Sequence, residues 1–214
     1  MIKLYGHKFS PPSNKVEMCM NLLSLEYEFI FIDLLKGQQR TNDFLSLAPF
    51  GKVPVLVDGN FKLSESNAIM KYLCKKSKSD LYSADFEKQA EIDMWCDFIA
   101  QHITMQGYAK VMFSKMVAPR IGVEPDQRAI KEGYENLNNF LSIIEEKLGK
   151  TKFLAGDKMT IADISLLSTI DPSEMIEVDL KLYPKLFAWR KNLQSQDFYQ
   201  KTHKFYGESM MAKK

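Results

Sequence analysis

The chain has 214 residues, 45% hydrophobic and 26% charged, with a formal net charge of +2 and a pI near 8.3. That length and composition suit a globular protein of one or two domains, and so even a charge balance argues against a nucleic-acid or anionic-membrane binder. No run reaches the ~20 apolar residues of a membrane span, and Met1-Ile2-Lys3-Leu4-Tyr5 opens directly on a strand pattern without an apolar leader, so the expected location is cytoplasmic.

Residues 1–77 alternate strand and helix signals. Ile2 to Gly6 is a short strand. Ser10-Pro11-Pro12-Ser13 reads as a loop, with Ser13 placed to cap a helix whose apolar face is Val16, Met20, Leu22 and Leu23. Tyr27 to Asp33, β-branched and aromatic, is a second strand. Lys36 to Arg40 is a polar loop, and Asn42 to Leu47 a short helix stopped before Pro49. Two alternating runs flank Asp58-Gly59, which predicts a hairpin with a type I′ turn, and Ser66 then opens a helix. The order β-α-β-α-β-β-α is that of a compact α/β layer unit.

Lys75 to Asp80 breaks the pattern as a polar, lysine-rich linker. Beyond it only helices are expected. Ala90, Met94, Phe98, Ile99, Ile103 and Met105 mark one, and the apolar set from Ala129 to Leu148 marks another, stopped at Gly149. Thr160-Ile161-Ala162-Asp163 is a capping box opening Ile164 to Ile170, apolar nearly all round and therefore buried. A last helix follows Pro184 with Leu186, Phe187, Trp189 and Leu193. The expected domains are 1–77, a linker 78–85, and an all-α domain 86–214.

Cys19, Cys74 and Cys96 stand far apart without metal or C-x-x-C spacing, as buried thiols in a reducing compartment do. His102 and His203 have no partner at metal spacing, and no metal is expected.

Val53-Pro54 enters a strand, and one hairpin later comes the helix N-terminus at Ser66. Its unpaired backbone N–H groups suit an anion, so the pair suits a small peptide held by its backbone and its carboxylate. Ser10 lies between the first strand and the first helix, where ligands of open α/β sheets bind. A hydroxyl donor there, helped by helix N–H groups, favours a thiolate over a thiol. Lowering a thiol pKa by two units takes ~2.7 kcal/mol, within reach of one charge-assisted hydrogen bond plus the helix dipole. Ser10 would not itself be a nucleophile, since the one nearby base, His7, is expected to be pinned at the strand end. The alternative is that Ser10 only turns the loop while Ser13 caps the helix.

These residues, with Asp33 to Gln38, Asn42 to Phe50, Lys52-Val53-Pro54, Leu63 to Ile69, and Phe153 to Asp157 running into the capping box, resemble the soluble glutathione S-transferases, closest to the serine-using theta and phi classes, over nearly the whole length. The resemblance implies a thioredoxin-like first domain, a helical second domain and a homodimer. It implies that Ser10 is the catalytic residue that hydrogen-bonds the glutathione sulfur. Pro54 would be cis, with the Val53 backbone on the cysteinyl unit, and Glu65 and Ser66 would hold the γ-glutamyl end. Gln39, Arg40 and Lys52 would lie at the glycyl end, Gln39 standing where a histidine is usual. Gln101 falls where some relatives place an acidic residue across the dimer. Phe9, Pro12, Tyr108, Met112 and Met116 would line the pocket for a small apolar electrophile. Tyr108, Met112 and Met116, with Phe113, also recur at helical spacing, as core residues do. Glutathione would be a co-substrate and no cofactor is implied. The implied activity is conjugation of the glutathione thiolate to electrophiles, as in detoxification, with glutathione peroxidase activity open. A non-catalytic carrier or interaction protein on the same fold is the alternative.

Overall fold

A computed structural model describes residues 1–203. The chain divides into two compact units, Met1–Tyr82 together with the segment from Gln194, and Ser83–Leu193. The expected second domain thus loses its end to the first unit, and its residues 204–214 lie outside those described.

The first unit is built on a four-stranded sheet in the order β2-β1-β3-β4. β1 (Ile2–Gly6) runs parallel to β2 (Tyr27–Phe31), which requires the crossover helix α1 (Pro11–Leu22). β3 (Val55–Asp58) is antiparallel to β1, and β4 (Phe61–Ser64) antiparallel to β3. Between β2 and β3 stand a 3₁₀ turn, Gln38–Arg40, and α2 (Asn42–Leu47). α3 (Ser66–Lys76) follows β4. The hairpin is as expected, but its two loop residues are Gly59 and Asn60. Only Gly59 has positive φ, +61°, the pattern of a II′ rather than the expected I′ turn. Asp58 ends β3 instead, accepting from the Tyr72 hydroxyl at 2.8 Å and pairing with Lys76 on α3.

Under one part of the sheet, Ile32, Phe44, Ala48 and Val55 form a buried cluster with Tyr5, Leu34, Leu47 and Val53 packed on it. α1 and α3 pack together, with the Cys19 and Cys74 sulfurs 3.9 Å apart; all three cysteines are free and buried. α9 (Asp197–His203) lies on α1, where the Asn21 amide donates to the Thr202 hydroxyl at 2.9 Å. That contact joins residues 181 positions apart in sequence, which is why the C-terminal segment groups with the first unit.

The second unit is helical. α4 (Phe86–Phe98) continues without a break into a π-helical stretch (Ile99–Tyr108), α5 (Ala109–Met112) and a second π stretch (Phe113–Val117). The expected helix is therefore longer and partly wider in radius, with i→i+5 turns. α6 (Gln127–Lys150) runs through Gly149 and stops at Thr151, whose N–H bonds the Lys147 carbonyl. α7 (Ile161–Ile170) is buried along its whole length, as its all-round apolar sequence requires. α8 (Pro184–Gln194) follows two short 3₁₀ turns. The Thr160 capping box is formed: the Asp163 carboxylate accepts from the Thr160 N–H at 2.9 Å and from the Leu154 N–H at 3.0 Å. No helix among the described residues is long and apolar enough to cross a membrane.

α6 crosses the π and α5 segments closely because glycines remove two side chains. A Cβ on Gly107 would stand 2.5 Å from Leu137 Cδ2, and one on Gly133 2.6 Å from Val111 Cγ2. Leu137 is fully enclosed, so its tip has nowhere to go. Gly107→Ala is expected to destabilise the protein by ~1–2 kcal/mol net, overpacking (~1–3 kcal/mol) outweighing the better helix propensity. Urea unfolding checks this; unchanged or raised stability would show that the helices can separate freely.

Candidate active site

The sheet register gathers the candidate residues of the first unit. Ile30, Tyr5, Val55 and Ser64 are successive cross-strand neighbours in one row. The segments just beyond them, Asp33–Arg40 after β2, His7–Ser10 after β1, Lys52–Pro54 before β3 and Glu65-Ser66 after β4, all leave the sheet at that same end. Residues far apart in sequence are thereby brought to one edge.

Ser10, not Ser13, is the N-cap of α1. Its backbone is extended and its Oγ accepts from the Ser13 N–H, though at a long 3.4 Å. Ser13 is buried one turn in, its Oγ accepting the His7 N–H at 3.3 Å. The physical reason lies in Pro11 and Pro12: proline is preorganised for the first helical turn, where its missing N–H costs nothing, so the helix starts earlier than the serine pattern suggests. Those prolines also remove the first two backbone donors of the helix. The Ser13 and Asn14 N–H groups are both directed to the Ser10 carbonyl, at 2.9 and 3.0 Å. The helix N–H assistance expected for a thiolate is therefore absent, and the Ser10 hydroxyl hydrogen is the donor left unspent there among the described residues.

Val53-Pro54 is cis. The sheet begins only at Val55, so the Val53 N–H and C=O carry no hydrogen bond among the described residues. Glu65 is the N-cap of α3 with φ +68°, an unusual backbone for a side-chain-bearing residue, and makes no side-chain cap. The Ser66 and Ala68 N–H groups are thus left by α3 itself, the first intrahelical bond running from Ile69 to the Glu65 carbonyl. One turn into α1, Lys15 donates to the Asn67 side chain at 2.7 Å and ties the two helix starts together. Sequence reading missed this pair, and residues 52 apart carried no signal for it.

In the 3₁₀ turn the Gln39 side chain is folded back, its Nε2 on the Leu34 carbonyl at 3.4 Å and its Oε1 buried. Arg40 lies over Gly51, its Nη1 3.0 Å from where a Gly51 Cβ would sit, and Lys52 next in line is exposed. Phe9 is 47% exposed beside the Ser10 loop, and Pro12 is exposed.

The remaining candidates belong to the second unit. Gln101 is exposed on the first π stretch, and Met112 and Met116 are half-buried. Tyr108 departs from the pocket expectation. It is 3% exposed, and its hydroxyl is hydrogen-bonded to Ser173 in the core. The π stretches explain this: i→i+5 turns shift the register, so positions four apart do not stay on one face as they do in a regular α-helix. Among the described residues no group of three His, Cys, Asp or Glu is placed to hold a metal.

Known proteins agree with this architecture. Residues 1–75 match the family model for the glutathione S-transferase N-terminal domain, and residues 102–197 that for the C-terminal domain. The chain is similar to a probable glutathione S-transferase of Oryza sativa subsp. japonica, 32% identical over 205 residues and 94% of each chain. It is likewise similar to glutathione S-transferase 3 of Zea mays, 32% identical over 94% of this chain and 92% of the other. Among solved structures, glutathione S-transferase-I bound with lactoylglutathione superposes with a TM-score of 0.84 at 30% identity, over 94% of this chain and 97% of that one. Glutathione transferase F2 from Populus trichocarpa gives 0.86 at 28%, over 97% and 100%.

Proposed function

The chain belongs to the glutathione S-transferase family and is a glutathione transferase, and from that premise we propose how its own residues do the work. Glutathione lies along the sheet end of the first unit. The Val53 N–H and C=O pair with the cysteinyl backbone. The γ-glutamyl carboxylate takes the α3 N-terminus and Ser66, and the γ-glutamyl ammonium takes Glu65. Lys52, with Arg40 beside it, faces the glycyl carboxylate, while Gln39 holds the turn from inside. Ser10 donates its hydroxyl hydrogen to the sulfur. The thiolate attacks an electrophilic carbon of an apolar substrate, forming the C–S bond as the leaving group departs, with Phe9 and Pro12 beside the Ser10 loop as apolar lining. Holding both reactants together and supplying the thiolate account for the acceleration.

The observation that carries this reading is the unspent hydrogen-bonding capacity at one end of the sheet: the Ser10 hydroxyl, both Val53 backbone groups and the uncapped start of α3. Peptide-like ligands offer the complementary groups. A homodimer is typical of the family, and three buried free cysteines suit a cytoplasmic setting.

Glutathione conjugation to a chloro-nitrobenzene, with glutathione binding followed by calorimetry, tests the assignment. Ser66→Ala and Glu65→Gln are each expected to weaken glutathione binding by ~10–100-fold, the loss of one charge-assisted hydrogen bond, with kcat at saturation changed much less. Unchanged affinity in both variants would remove the γ-glutamyl assignment.

A further inference from the structure

We propose that His7 is a positioning residue for Ser10, its imidazole holding the loop that presents the hydroxyl to the sulfur. This rests on the reading of Ser10 given above and extends it to a residue that does not touch the ligand.

Three groups of His7 pin that loop. Its backbone N–H donates to Ser13 Oγ at 3.3 Å, its carbonyl accepts the Ser10 N–H at 2.9 Å, and its ring Nδ1 accepts the Phe9 N–H at 3.1 Å. Any residue supplies the first two. The third needs a side-chain acceptor reaching two residues ahead, the geometry Asn and Asp use in an Asx turn. With Nδ1 as acceptor the ring proton is on Nε2, an assignment made from the hydrogen-bond network. The ring is set by Phe31 at 5.1 Å and Phe9 at 5.7 Å between centroids. The acceptor therefore has a fixed place, and the residue it holds is the one preceding Ser10.

Protonation would put a hydrogen on Nδ1, turning the acceptor into a donor facing the Phe9 N–H. The loop then opens and the Ser10 hydroxyl leaves the sulfur. The charged group acting on the ring is Asp33, beyond β2, which favours the proton, but burial opposes it more strongly and holds the imidazole below its ordinary 6.5. Lys8, next in the chain, is paired with Glu17 of α1 at 2.7 Å and lies over the Phe29 ring. Ser13, the other α1 neighbour, is uncharged. The neutral, loop-holding form thus persists at neutral pH and is lost only as pH falls through that lowered value.

The test uses the full-length protein with saturating glutathione, reading the bound thiolate by its ultraviolet absorbance and kcat against pH. His7→Phe keeps the ring contacts and removes the acceptor. It is expected to raise the bound thiol pKa toward that of Ser10→Ala, and kcat at neutral pH should fall with the thiolate fraction, about tenfold for each pH unit once that pKa stands above the working pH. His7→Asn restores the acceptor as an Asx turn and should recover activity. On the acid side the wild type should steepen from a one-proton to a two-proton limb, and His7→Asn should keep one proton only. A wild-type thiol pKa in His7→Phe, while Ser10→Ala still raises it, overturns the inference alone. A two-proton limb persisting in His7→Asn does the same, even if His7→Phe fails to fold. An unchanged thiol pKa in Ser10→Ala instead defeats the reading of Ser10, and His7 then has nothing to position.

Discussion

Ser10→Ala is expected to lower kcat for conjugation at neutral pH by ~10–100-fold, with little change in glutathione affinity. The magnitude follows from what else is available to the sulfur. A hydroxyl on a thiolate is a charge-assisted hydrogen bond worth ~1.5–3 kcal/mol, and each 1.4 kcal/mol is about tenfold in rate. In many helices a missing side-chain donor is partly replaced by backbone N–H groups of the first turn. Here Pro11 and Pro12 have none, and the next two point at the Ser10 carbonyl, so the serine acts alone. Affinity should survive because, in the proposed placement, the peptide is held elsewhere, at Val53 and at the start of α3. The acid limb of the pH profile moves to higher pH, since the thiolate form exists only above the bound thiol's pKa and that value rises in the variant. Undiminished turnover would mean that the thiolate is stabilised by a group other than Ser10.

Asp163→Ala is expected to destabilise the protein by ~3–5 kcal/mol, lowering the melting temperature by ~6–20 °C for a chain of this size. Asp163 is fully buried and accepts from the Leu154 N–H, the Thr160 N–H and the Thr160 hydroxyl, at 3.0, 2.9 and 3.1 Å. Truncation leaves buried donors without partners and opens a void at the start of α7, the most enclosed helix of the second unit. Burial outweighs those hydrogen bonds and raises the carboxyl from its ordinary 3.8 to about 6. With the folded value raised, this group's contribution to stability is full below the unfolded pKa and is lost as pH rises through about 6. Asp163→Asn removes that titration, so the difference in unfolding free energy between it and the wild type should vary between about pH 4 and 6 and level off above. A flat difference across that window would show that the carboxyl titrates at its ordinary value.

The boundary between legible and illegible features runs along sequence separation. The Asp58-Gly59 hairpin, the short α2, the Thr160 capping box and the buried α7 were readable because their defining hydrogen bonds and apolar periods join residues two to four apart. The candidate site residues of the first unit stood out for the same reason taken one at a time: a proline entering a strand, a serine before a helix, a helix start after a hairpin. Even there, local rules competed. The serine pattern favoured a helix capped by Ser13, but two prolines suited to the first turn moved the cap to Ser10 and left that turn without its first two backbone donors.

Composition, strand-helix alternation and these short motifs by themselves determined an α/β first unit and a helical second one, and made Ser10 a candidate for contact with a peptide thiol. Tertiary structure alone decided that one row of cross-strand neighbours brings the ends of β1 and β4 and the start of β3 together, and that α9 returns to α1. It alone showed that Lys15 ties the starts of α1 and α3 through Asn67, and that π turns carry Tyr108 into the core. Each of these depends on side chains tens to hundreds of residues apart, or on a helical pitch set by packing against α6 at Gly107 and Gly133. Local propensity is a sum over near neighbours and carries no information about which distant surface a side chain will meet.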